Sequence, residues 1–170
     1  MDYGIPIKVG NETIRYFLTD SDMDARGELI QSMDVNQLDS FVARLAESVV
    51  LKGQLYEHHH YADENGDKAI EVRPYRHYED SINEAEVIDA IIAVLLTDIS
   101  PAPVSPTEFG LDVYEIGEEG RLIYSLQANS SLDIITILLD HQRIIEGKEY
   151  PFLFSCLDWS KRKVYLFVSR

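Results

Sequence analysis

Between residues 55 and 80 the chain reads LYEHHHYADENGDKAIEVRPYRHYED, which sets four of its five histidines among carboxylates, tyrosines and arginines. Imidazole nitrogens and carboxylate oxygens at short spacing form the donor sets of zinc, iron and manganese centres. The same residues with arginine and tyrosine beside them suit recognition of another protein. Which use applies depends on where each side chain points. Asn65-Gly66 is the strongest two-residue hairpin signal in the chain. A turn there pairs His60 with Glu71, His58 with Arg73, His59 with Val72 and Tyr56 with Tyr75. Strand alternation then places Tyr56, His58, His60, Glu71, Arg73 and Tyr75 on one face, and His59, Tyr61, Ile70 and Val72 on the other, the face expected to be buried.

Two imidazoles and a carboxylate, His58, His60 and Glu71, thus make a candidate open metal site, with His77 as a further donor. Such a set would serve a metal-dependent hydrolase or oxygenase. Arg73, expected opposite His58, opposes it by bringing a cation to the metal position. The recognition reading takes Tyr56, His58, His60, Glu71, Arg73, Tyr75, Arg76, His77 and Tyr78 as one protein-binding surface. Pro74 lacks an N–H for a ladder and predicts an edge position for this hairpin.

Other catalytic signatures are missing. The sequence has no Gly-rich phosphate loop, nucleophile elbow, HExxH pair or CxxC. The run DENGDK alternates Asp63, Asn65 and Asp67 as a calcium loop does, but Gly66 comes fourth where such a loop needs it sixth, so these are read as turn residues. Cys156 sits in the apolar run PFLFSCL and is expected to be a buried, unactivated thiol. His141, in register with Ile134, Ile137, Leu138 and Ile145, reads as a histidine at the edge of a core. No cofactor is expected, and an enzyme is the less favoured reading.

The elements that would position these residues alternate between two periods. Period-two runs flanking Gly10-Asn11 predict a first hairpin over 5–18. Residues 22–33 read as a helix. A second helix follows, with Asp34 and Gln37 in capping-box spacing and Leu38, Phe41, Val42, Leu45 and Val49 on its apolar stripe. The histidine hairpin comes next. Ser81 and Glu84 then open a helix so apolar from Val87 to Leu96 that protein should cover nearly all of it. After a proline-rich connection at 100–110 come a hairpin, a helix from Ser130 to a stop at Gly147, and a last hairpin apolar on both faces, hence mid-sheet. The expected fold is therefore one α+β domain over 1–170. It has an antiparallel sheet of successive hairpins, with about four helices packed mainly on one face.

Charge narrows the function. Thirty acids against fifteen bases give a net charge of −15, and residues 1–100 hold twenty of the acids but only eight bases. That field repels nucleic acid and anionic lipid and attracts basic proteins. One cysteine and no secretory leader at the start point to a cytoplasmic setting without membrane association. The reading is a small acidic protein that binds a basic protein partner, as an inhibitor or immunity-type protein does. Asp20, Asp22, Asp24, Asp63, Glu64, Asp67, Glu79 and Asp80 are its expected steering acids. The metal-dependent enzyme and an acidic assembly chaperone or structural component are the alternatives, and the oligomeric state is left open.

Overall fold

A computed structural model describes residues 10–20, 25–75, 82–97, 109–128, 130–140 and 142–169. Ten strands and three helices follow in chain order: β1 Asn11–Asp20, β2 Ala25–Asn36, α1 Gln37–Leu45, β3 Ser48–Leu51, β4 Gln54–Glu64, β5 Asp67–Pro74, α2 Ile82–Thr97, β6 Gly110–Ile116, β7 Gly120–Gln127, α3 Ser131–Leu139, β8 Gln142–Ile145, β9 Lys148–Asp158 and β10 Lys163–Ser169. Nine strands form one sheet in the order β2-β1-β5-β4-β3-β9-β10-β6-β7, and β8 pairs with β9 beside that path.

The sheet is mixed, which corrects the expected antiparallel sheet of hairpins. Neighbouring hairpins join through parallel pairs: β1 with β5, β3 with β9, and β10 with β6. Three helices are present among the described residues, not about four, and they lie on both sides of the sheet. Val164, Leu166 and Val168 of β10 enter one core with Val42 and Ala43 of α1 and Ile134 and Leu138 of α3. Tyr165 and Phe167 point the other way and meet Ala90, Ile91, Val94 and Leu95 of α2. As expected of strands apolar on both faces, β9 and β10 are central.

One expected helix is replaced by a strand and two others are cut short by strands: α1 ends at Leu45, and Val49, expected on its stripe, lies in β3. Residues 25–36 form β2, because backbone pairing along β1 and the half-buried Ile30, Met33 and Val35 outweigh a weak helical preference. The helix expected to run from Ser130 to Gly147 stops at Leu139. Ile144 and Ile145 instead pair with Glu149 and Lys148 around a Glu146-Gly147 turn, where φ is 50° and 80°. Positive φ at both central residues is the two-residue turn that matches strand twist. Lys52-Gly53 (51°, 77°) and Asn65-Gly66 (55°, 92°) have it too. The expected first hairpin falls partly on residues 1–9, and His141 also lies outside the described residues. Among the described residues, no helix is long and apolar enough to cross a membrane.

Candidate functional site

The histidine hairpin forms, with one departure that rearranges its chemistry. From the turn, the pairs Glu64–Asp67, Asp63–Lys68, Ala62–Ala69, Tyr61–Ile70 and His60–Glu71 hold the expected register. A bulge at His59 then shifts it, so that His58 faces Val72, Glu57 faces Arg73 and Tyr56 faces Pro74. An extra residue in one strand sends every side chain beyond it to the other face. His58 and Tyr56 therefore join the face of Tyr61, Ile70 and Val72, while His60 stays with Glu71.

The three candidate ligands are thus divided between the two sides of the sheet. Among the described residues, no group of three or more histidine, cysteine, aspartate or glutamate side chains could hold a metal. Glu71 is engaged elsewhere: Arg26 reaches its carboxylate at 3.3 Å and that of Glu64 at 2.6 Å. Arg73 pairs with Glu57 rather than opposing His58. The hairpin is also not at an edge, since β5 lies between β1 and β4; the last β1 pair is at Val72, before Pro74.

The expected recognition surface is divided as well. Tyr56 packs against the α1 and α3 core, and Tyr75 sits edge-on to Phe154, ring centroids 5.2 Å apart, in the α2 core. Arg76, His77 and Tyr78 lie outside the described residues. So do Asp22, Asp24, Glu79 and Asp80 of the expected steering acids, while Asp20 ends β1. The remaining three have internal partners: Asp63 pairs with Lys68, Glu64 with Arg26, and Asp67 with Arg15 at 2.8 Å. Lys68 beside Asp63 and Arg26 beside Glu64 hold both carboxyls below the usual range.

A different cluster stands on the surface. Helix α1 begins at Asn36, whose side chain accepts from Asp39 N–H at 2.8 Å, and not at the expected Asp34. Asp39 is itself buried: Ser131 of α3 donates to one of its oxygens and Arg162 to the other, at 3.2 Å. Anchored there, α1 turns Asp39, Ser40, Val42 and Ala43 inward. Leu38 and Phe41, read from the sequence as core, are left 39% and 40% exposed, beside a Tyr61 that is 39% exposed.

Arg44 ties this patch together. Its guanidinium carbon lies 4.1 Å from the Phe41 ring centroid and 5.3 Å from that of Tyr61. Its Nε donates to the Ser40 carbonyl at 3.3 Å and its Nη1 to the Tyr61 hydroxyl at 3.2 Å. Among the described residues no carboxylate pairs with it.

Next to Arg44 lies a cavity of ≈160 Å³ lined by Arg44, His58, His59, His60, Tyr61 and Ile70. His58 lines it, but its Nε2 is shut off from solvent and has no hydrogen-bond partner among the described residues, and the ring lies 6.2 Å from that of Tyr16. Burial lowers the His58 pKa from 6.5 to about 4, against a backbone hydrogen bond with Ala46 that acts the other way. The imidazole is therefore neutral at pH 7. Cys156, as expected, is fully buried, and burial pushes its thiol up to about 12.

Leu38 and Phe41 carried a sequence signal that pointed the wrong way. Their spacing matches an apolar stripe with Val42 and Leu45, but with Asp39 anchored inward only Val42 and Leu45 of that stripe in α1 keep to the core, and Leu38 and Phe41 are turned outward. No protein-family model, curated protein or solved structure matches the chain. The geometry of this patch is what its function must be argued from.

Proposed function

We propose that this chain acts by binding another protein, and that Leu38, Phe41, Arg44 and Tyr61 form the centre of the contact. The carrying observation is the guanidinium of Arg44 resting on two half-exposed aromatic rings, with no carboxylate in ion-pair contact with it among the described residues. Arginine, tyrosine and other aromatics supply most of the energy at protein interfaces, because they bury large area at low entropic cost. Here the arginine is already held by two rings and two hydrogen bonds, so little freedom remains to be lost on association.

The charge of −15 selects a basic partner by long-range steering, and a partner whose working surface is covered would be inhibited. The patch supplies the short-range contact. The alternative of a metal-dependent enzyme has no intact ligand set behind it among the described residues.

The test compares affinity captures from the source cell by the wild-type chain and by Phe41→Ser/Tyr61→Ser, at low and high salt. Both replaced side chains are partly exposed, so the variant should fold. The expected outcome is a basic protein retained by the wild type, reduced about tenfold or more by the double substitution and weakened by salt. Recovery of the same proteins by both chains, or binding indifferent to salt, would overturn the reading.

A further inference from the structure

The sheet ends in two strands, β2 and β7, and the two ends are built differently. An edge strand presents unpaired N–H and C=O groups, and proteins guard such edges with charges, bulges or short length. The β2 edge carries Arg26, Glu28 and Asp34, and its pairing with β1 breaks register twice. The β7 edge, GRLIYSLQ, is eight residues long and has one charge, Arg121. Glu115 on the neighbouring strand takes that charge at 2.6 Å. Among the described residues, only β6 pairs with β7.

Two side chains show what kind of object would cover this edge. Leu122 is 44% exposed and Tyr124 42%. Tyr124 stands opposite Val113, which faces the α1 and α3 core; Leu122 stands opposite Tyr114, which faces the α2 core. The register shift at Ile123 puts these two residues on opposite faces of the sheet. A body resting on one face covers only one of them. A strand added alongside covers both and also pairs the backbone that no described strand takes up.

We propose that β7 accepts an extended segment of a partner protein as a further strand of the sheet. This surface is separate from the α1 patch and does not depend on it. The segment carries apolar residues on both faces, to meet Leu122 on one and Tyr124 on the other. It also carries lysine or arginine near the end that meets Glu118 and Glu119, the exposed acids of the turn leading into β7. A second copy of this chain is the less suitable occupant. Each copy brings a charge of −15, which opposes self-association.

The probe is a synthetic peptide of about ten residues, a run of valine and threonine with lysines at one end, compared with the same peptide bearing glutamate for lysine, and with the lysine peptide N-methylated at alternate residues. Amide hydrogen exchange and fluorescence anisotropy are read at low salt on the wild type, on Leu122→Thr/Tyr124→Thr and on Phe41→Ser. The lysine peptide should slow exchange within 120–127. Its affinity should fall about tenfold or more with N-methylation and in Leu122→Thr/Tyr124→Thr, and should not change in Phe41→Ser. Absence of protection in 120–127, equal binding of the N-methylated or glutamate peptide, or loss of binding in Phe41→Ser would overturn the proposal. So would protection of β7 without peptide in a species of twice the monomer mass, because the occupant would then be a second copy. If Leu122→Thr/Tyr124→Thr fails to fold, N-methylation on the wild-type protein decides alone.

Discussion

At the scale of single residues, His59 is the pivot. The histidine triplet was legible as a strand beside a turn, and the His60–Glu71 pair follows from counting outward from Asn65-Gly66. The bulge was not legible, because one extra residue leaves no mark in composition or periodicity. It converts His58 from a candidate ligand facing solvent into a partly buried, neutral imidazole whose Nε2 is shut off from solvent and whose ring lies next to Tyr16. That change has a consequence for acid stability. The folded His58 pKa of about 4 lies below its ordinary 6.5, so between these values the unfolded chain binds the proton and the folded chain does not. The associated stability is complete above pH 6.5 and is lost as pH falls towards 4. The loss is about 3 kcal/mol in all, of which about 2 kcal/mol is gone by pH 5. Asp63 and Glu64 have lowered pKa values, so their contributions are lost at more acid pH. Urea unfolding followed from neutral pH down to about 5 should show this slope, and His58→Leu should flatten it. An equal slope in the variant would place the acid lability elsewhere.

At the scale of elements, what could be read from the sequence depended on whether local pattern and tertiary pairing agreed. The β6–β7 and β9–β10 hairpins and helix α2 form where period and turn residues pointed. Glu146-Gly147 did not announce itself, because Gly after an apolar run reads equally as a helix stop and as a two-residue turn. Only pairing of Ile144 and Ile145 with β9 distinguishes the two. Helix α2 was expected to be covered nearly all round. In fact it covers one face of the sheet and leaves Leu96 66% exposed. Its close approach to β7 depends on Gly120, where an added Cβ would lie 2.2 Å from Val94 Cγ2. Valine is stiff at χ1 and cannot swing aside within a helix. Gly120→Ala should therefore cost about 1–3 kcal/mol by overpacking. Because the clash is with one methyl group, adding Val94→Ala should recover part of that cost, a coupling of about 0.5 kcal/mol or more. Chemical denaturation of the two single variants and the double variant checks this. Strictly additive costs would mean that Gly120 matters for the β6–β7 turn and not for α2.

At the scale of the whole molecule, the sequence showed the hairpins but not how they join. Each hairpin satisfies its own strands locally, and nothing in it states that β1 will lie parallel to β5 or β3 to β9. Those pairings are set by which buried faces match, such as Tyr16 beside Ile70 and Val49 beside Leu157 in one core. Charge, by contrast, was fully legible and acts on the molecule as a unit. Arg15, Arg26, Lys68 and Arg73 each pair with an acid in the first hundred residues, yet that stretch holds twenty acids and eight bases. Salt acts on these two populations in opposite directions. Screening weakens each exposed ion pair by no more than about 1 kcal/mol, but it relieves the repulsion among the many carboxylates left in excess. Raising NaCl from about 0.01 M to about 0.1 M shortens the screening length from about 30 Å to about 10 Å, which removes mainly the long-range repulsion while leaving contacts near 3 Å largely intact. The urea midpoint should therefore rise with NaCl over this range, and an equal ionic strength of sodium perchlorate should raise it too if screening is the cause. A midpoint that falls would mean that the ion pairs outweigh the excess acids, and the electrostatic attraction of a basic partner would then lose its source.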